Sequence, residues 1–384
     1  MEYSSLFEKF KEQDLTGRYI TLKHIEPILG KHIPKNEIQV LGNSVLEKPI
    51  YGYTTGTGNF KILLWSQMHG NESTTTKALF DLFNYLDSDD EVALNWKQKF
   101  TFLFIPILNP DGAELYTREN ANAIDLNRDF LNLSQPESQL LVTVFNDFKP
   151  DFCFNLHDQR TIFAAGKTNN PATVSFLAPA YNEERDSNPS RQKAINLIAG
   201  INEKLQRFIP NQVGRFDDAY NRNCVGDTFQ QFGVPTVLFE AGHFKNDYAR
   251  EETRKYIFYS LFMGFNVLYE NDIVNNKTAN YLNIPQNNPC FFDFIYRNVK
   301  INYDNSEIIT NFAAQFREEL QENQLVFTAY ISSIGALDDF YGHVEYDAKS
   351  ALFESNGINF PKINDKANFF LGKNSLFVNG LLKK

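Results

Sequence analysis

Apolar residues follow two alternating rhythms along this chain. Short dense runs such as KFTFLFIPIL (99–108), in which seven of ten residues are Phe, Leu or Ile, read as strands buried on both faces. DFCFNL (151–156), VSFLAP (174–179) and PTVLF (235–239) share that character. Between them, apolar positions recur every three or four residues. STTTKALFDLFNYLDSD (73–89) puts Ala78, Leu79, Leu82, Phe83 and Leu86 on one helical stripe, and PESQLLVTVFNDF, SRQKAINLIAGINEKLQRF and DYAREETRKYIFYSLFMGFNVLYEN read as further helices. Upstream, residues 37–66 hold apolar and β-branched runs broken by LGNS and TGTGN, which are turn compositions between strands. Alternating buried strands and helices predict an α/β fold: a mixed, mostly parallel twisted sheet with helices on both faces. In such a sheet, sites form beyond the carboxyl ends of strands.

The rhythm changes near IPQNNPC (284–290). Beyond it, FFDFIYRNVKINY, LVFTAYISSIG and FYGHVEYDA resemble short β segments, and NFAAQFREELQENQ (311–324) has the composition of a charged helix. The expected division is a large α/β unit over residues 1–284 and a small β-rich unit over 285–384. A formal net charge of −10 argues against nucleic acid or an anionic membrane surface as partner. No run reaches the roughly 18 apolar residues of a spanning helix, and MEYSSLFEKFKEQDL carries early acids and lacks the apolar core of a secretory signal. The three cysteines, Cys153, Cys224 and Cys290, form neither a CxxC nor a disulfide framework, so a reduced, cytoplasmic setting is the expectation.

Chemistry-bearing residues collect at predicted strand ends. His69 and Glu72 follow KILLWSQM, His157 follows DFCFNL, and Glu240 follows PTVLF. Two imidazoles and a carboxylate make a three-ligand zinc set that leaves a fourth position for water or substrate. His and Glu three residues apart, where a strand turns into a helix, can face one point, but a solvated turn reads the same way from spacing alone.

The ordered set HGNE (69–72), NPDGAE (109–114), TRENANAIDLNRDF (117–130), NLHD (155–158) and FEAGH (239–243) resembles the zinc carboxypeptidases related to carboxypeptidase A, from about Glu37 to Asn271. The resemblance implies one zinc ion held by His69, Glu72 and His157, with Asp125 hydrogen-bonded to the first histidine; such a carboxylate fixes tautomer and ring orientation. It implies that Asn127 and Arg128 hold the terminal carboxylate of a peptide, a task suited to a guanidinium fork. It further implies Arg118 as oxyanion stabiliser, Glu240 as general base and Tyr220 as the residue closing over substrate. The implied activity is hydrolysis of a C-terminal peptide bond.

An N-acyl amino acid deacylase similar to aspartoacylase or succinylglutamate desuccinylase shares the zinc and the base, and often a small C-terminal β domain; a murein-peptide amidase is a third form of the same chemistry. A non-catalytic binding protein would be expected to have lost a ligand or the base. Asp158, directly after the last ligand, predicts an acidic pocket beside the metal, whereas Asp217 and Asp227 read as solvated loop charges. His24, His32, His243 and His343 read as structural.

Overall fold

The computed structural model describes residues 3–32, 37–303 and 306–383 and divides into two compact units. The larger comprises Met1–Gln159 and Ala172–Asn287, the smaller Arg160–Pro171 and Asn288–Lys384. A single boundary at 285 does not anticipate that Arg160–Pro171 groups with the smaller unit.

In the larger unit, β1 (Ile38–Asn43), β2 (Pro49–Thr55), β3 (Phe60–Ser66), β4 (Phe100–Ile105) and β5 (Phe152–Asp158) are followed, after β6 (Phe163–Ala165) of the smaller unit, by β7 (Val174–Leu177), β8 (Val213–Arg215) and β9 (Thr236–Ala241). They form one sheet in the order β1-β2-β4-β3-β5-β9-β7-β8. β4, β3, β5 and β9 are mutually parallel; β1 and β2 join antiparallel at one edge, and at the other β7 runs antiparallel to β9 and parallel to β8. The chain lays β4 on one side of β3 and then returns to lay β5 on the other. That reversal opens a crevice beyond the carboxyl ends of β3 and β5.

Helices α1 (Tyr3–Phe10) and α2 (Leu22–His32) precede the sheet. α3 (Thr74–Leu86) and α4 (Glu91–Lys99) connect β3 to β4, and α5 (Pro110–Leu115) and α6 (Pro136–Phe148) connect β4 to β5. α7 (Pro189–Leu205), α8 (Val225–Gln231), α9 (Glu251–Tyr269) and α10 (Thr278–Leu282) complete the unit. Because successive strand residues point to opposite faces, Ile62, Leu64, Phe102, Phe104 and Phe154 pack with α3, α7 and α9. Leu63, Trp65, Leu103, Ile105 and Cys153 pack with Leu141, Phe145 and Phe229 of α6 and α8. Both faces are therefore covered, as the dense apolar runs require.

In the smaller unit, β10 (Asn287–Pro289) pairs with β6. β11 (Phe291–Tyr303), β12 (Ser306–Gln321), β13 (Gln324–Gly335) and β14 (Tyr341–Asp347) form a sheet ordered β13-β12-β11-β14. β15 (Phe353–Glu354), β16 (Phe369–Leu371), β17 (Ser375–Val378) and β18 (Leu381–Leu382) form another, and Tyr296, Phe312, Phe353, Phe369 and Phe377 fill the core. The expected helix at 311–324 is overturned: most of it is β12. Ala, Gln, Glu and Leu favour helix locally, but β12 hydrogen-bonds to strands on both sides, and sheet context outweighs that modest propensity. Among the described residues, no helix is long and apolar enough to cross a membrane.

Candidate metal centre and active site

β3 delivers its polar ending through a tightly held turn. Gln67 sits in the left-handed region (φ 50) and its amide nitrogen donates to the carbonyls of Ile20 and Gly70, each at 2.8 Å. At Gly70 an added Cβ would lie 1.9 Å from the backbone of Gly112, so the glycine of HGNE lets the turn press against α5. Ser66 bonds to Thr75 and Thr76 at 2.7 and 2.9 Å, tying the strand end to the first turn of α3.

This turn aims His69 and Glu72 at His157 on β5. His69 Nδ1 lies 2.9 Å from Glu72 Oε1, His157 Nδ1 lies 2.8 Å from Glu72 Oε2, and the two Nδ1 atoms are 3.1 Å apart. A tetrahedral shell with zinc bonds near 2.1 Å would separate adjacent donors by roughly 3.4 Å, a few tenths of an ångström more than these distances, so the trio fits one small divalent ion. Two imidazole nitrogens facing each other across a carboxylate are a cation-seeking arrangement, since they cannot both carry protons comfortably.

Electrostatics agree with that geometry. Burial pushes the His157 imidazolium down to about 4, only partly opposed by Glu72, so the ring is neutral and its lone pair available. Burial also disfavours the Glu72 carboxylate, but the charge of His69 and hydrogen bonds from both histidines outweigh it and hold the group below the usual range. For His69, burial opposes protonation while Glu72 and Asp125 overcome it, a balance that a cation on Nδ1 would replace.

Asp125 is the hub around this trio. Its Oδ1 lies 3.1 Å from His69 Nε2 and accepts from the Asn127 backbone at 2.9 Å, capping the short turn Leu126–Arg128. Its Oδ2 accepts from Arg118 Nε at 3.0 Å, and Arg118 also reaches Glu72 Oε1 at 3.2 Å. One carboxylate thus orients the histidine, the arginine and the Asn127–Arg128 turn together. Asn127 Oδ1 is buried without a hydrogen-bond partner, and Arg128 is exposed.

Glu240 stands opposite His157 in the parallel β5–β9 register. Residues so paired lie on neighbouring strands about 4.8 Å apart. Its Oε2 is buried without a partner, and burial together with the Glu72 and Asp158 carboxylates raises its pKa well above the ordinary value.

Tyr220 is not drawn into this group; its hydroxyl donates to Gln231 Oε1 at 3.3 Å. Asp158, whose charge acts on Glu240, also has a structural task. Its Oδ2 accepts from the Thr74 backbone at 3.0 Å and from the Thr74 hydroxyl at 2.5 Å, so it anchors the start of α3, while its own N–H donates to Glu72 Oε2 at 3.2 Å. Asp217 is exposed and pairs with Arg185, whereas Asp227 is buried, accepts from the Asn221 backbone and is pushed up to about 7 by burial. The solvated reading therefore holds for Asp217 and fails for Asp227. His243 packs on Tyr248, and His343 bonds the Thr161 carbonyl.

Sequence reasoning missed Arg250. Fully buried, it donates to the carbonyls of Ala241 and Gln159, each at 2.8 Å, and to that of Gly242, clamping the ends of β9 and β5 just past Glu240 and His157. Arg250 itself has φ 60, and Asp247 caps the helix that follows it. Nothing in DYAREETRKY distinguishes this arginine from a surface helix residue.

The zinc carboxypeptidase family profile matches residues 29–158. Carboxypeptidase SOL1 of Arabidopsis thaliana is 33% identical over 169 residues, 38% of this chain and 34% of that protein. Residues 29–158 are thus similar to the zinc carboxypeptidases. Carboxypeptidase 2 of Trichophyton rubrum is 27% identical over 157 residues, covering 40% of this chain and 27% of its own. The chain thus spans about a third or less of the curated carboxypeptidases it matches. The metallo-carboxypeptidase of Burkholderia cenocepacia has a similar fold, with a TM-score of 0.52 at 18% identity over 65% of this chain and 69% of that one. Carboxypeptidase A of Helicoverpa armigera does as well, with a TM-score of 0.52 at 14% identity over 70% and 80%. The carboxypeptidase profile contains all three candidate ligands and Asp125, and ends before Glu240.

Proposed function

We propose that this chain is a zinc-dependent exopeptidase that hydrolyses the C-terminal peptide bond of its substrate. The observation that carries the reading is the His69–Glu72–His157 trio with Glu240 in register across the adjacent strand. Zinc, when bound, acts as a Lewis acid on a carbonyl and makes water more acidic. Glu240, with its unpartnered oxygen, takes the proton of the attacking water and returns it to the leaving amine. Arg118, held against Asp125 and Glu72, presents positive charge where the carbonyl oxygen becomes negative. Arg128 and the Asn127 amide bind the terminal carboxylate, which restricts cleavage to the chain end.

The test uses purified protein loaded with zinc and a set of peptides, each with a free or an amidated C terminus. Release of single C-terminal residues from the free peptides only is expected. Cleavage confined to N-acyl amino acids would replace this reading with the deacylase one, and failure to bind zinc would end both.

A further inference from the structure

The smaller unit contains a cavity of about 370 Å³. Phe291, Phe316 and Phe340 wall it, and Arg160, Arg317 and Gln315 supply its polar groups. The Arg317 guanidinium lies 4.2 Å over the Tyr330 ring, which also lines the cavity, and donates to the Asn364 amide oxygen. This contact fixes the fork without neutralising it. Among the described residues neither Arg317 nor Arg160 has a carboxylate partner. In a chain of formal charge −10, two arginines without acids in one cavity are conspicuous.

Gln315 sharpens the chemistry. Its Nε2 is committed to Thr161 Oγ1 at 2.9 Å and to Asp293, so the orientation of the amide is set. Oε1 is left buried with no donor. A buried acceptor without a partner costs free energy comparable to a lost hydrogen bond. The cavity therefore calls for a ligand that offers an N–H donor, an anionic oxygen pair and an apolar or aromatic group. Inorganic anions supply only the second.

We propose that this cavity binds an N-acylated amino acid carboxylate, the chemical form of a peptide's C-terminal end, with an apolar or aromatic side chain. The amide N–H donates to Gln315 Oε1, the carboxylate takes the arginines, and the side chain lies among the phenylalanines. The site is lined by residues of the smaller unit alone, and the proposal stands whether or not the larger unit is a peptidase.

The test is calorimetric titration of full-length protein carrying Glu240→Gln with N-benzoylglycylphenylalanine, its C-terminal amide and inorganic phosphate. A binding event that Arg317→Gln or Arg160→Gln weakens about tenfold, and that the amide lacks, is expected. Both arginines are exposed, so these variants should fold, and in the otherwise wild-type chain they should leave zinc content and turnover of short substrates unchanged. Equal binding of the amide, indifference to both substitutions, or phosphate binding with the same arginine dependence would each overturn the proposal.

Discussion

Asp125 connects three tasks through two oxygens: it orients His69, restrains Arg118 and caps the turn that carries Asn127 and Arg128. Asp125→Asn keeps the shape but loses the charge. It should weaken zinc binding about 10- to 100-fold, measured by competition with a chelator. Glu240→Gln should behave differently, with zinc content intact and turnover reduced about a hundredfold or more. Metal loss in Glu240→Gln, or full activity, would show that Glu240 is not the base. At this scale the sequence was legible where residues act in short ordered strings: HGNE and NLHD end or follow strands, and DLNR lies between them in the connection from β4 to β5. It was not legible where the partner is a backbone atom. Asp158 looks from its neighbours like a pocket acid, but its hold on the Thr74 backbone is not visible in them, and the carbonyls that engage Arg250 leave no trace in side-chain order.

Between elements, close approach and buried charge decide the fit. Gly70→Ala forces a methyl into the backbone of α5, and about 1–3 kcal/mol of destabilisation is expected, measured by denaturant unfolding. α9 is fastened to α3 by a charge network in which Glu251 accepts from Lys77 at 2.6 Å and pairs with Lys11 at 3.0 Å, while Arg254 pairs with Asp81 at 2.5 Å. Burial opposes ionisation of Glu251, but these cations lower its pKa from 4.5 to about 2. A depressed carboxylate contributes stability that is complete above about 4.5 and disappears as pH falls toward 2. Glu251→Gln should therefore flatten the acid limb of the stability profile in that window; an unchanged limb would mean that the network contributes nothing. Strands β4, β5 and β9 and helices α3, α6, α7 and α9 follow directly from apolar rhythm, because burial on two faces leaves dense runs and amphipathic stripes. β12 does not, because its strand state is imposed by neighbours on both sides and not by its own composition.

For the molecule as a whole, a ligand that binds only the folded state raises stability by an amount set by its concentration relative to Kd, about 4 kcal/mol at a thousandfold excess. The three candidate ligands all belong to the larger unit, and the smaller has its own core. Calorimetry with and without a chelator should therefore move the transition of the larger unit and leave that of the smaller one in place. One peak shifting as a whole would mean that the units unfold as a single cooperative body.

The smaller unit is assembled from two stretches of chain, and the first of them, Arg160–Pro171, leaves β5 only three residues after His157. Thr161 and Ile162 are held there by Gln315, His343 and Phe291. The unit is consequently not a detachable tail. A stop codon after residue 287 would strip that stretch of its hydrogen-bond partners directly downstream of a metal ligand, so truncation cannot serve as a clean deletion. In inheritance, too, the two units are expected to travel together, since no single recombination point between them keeps both intact.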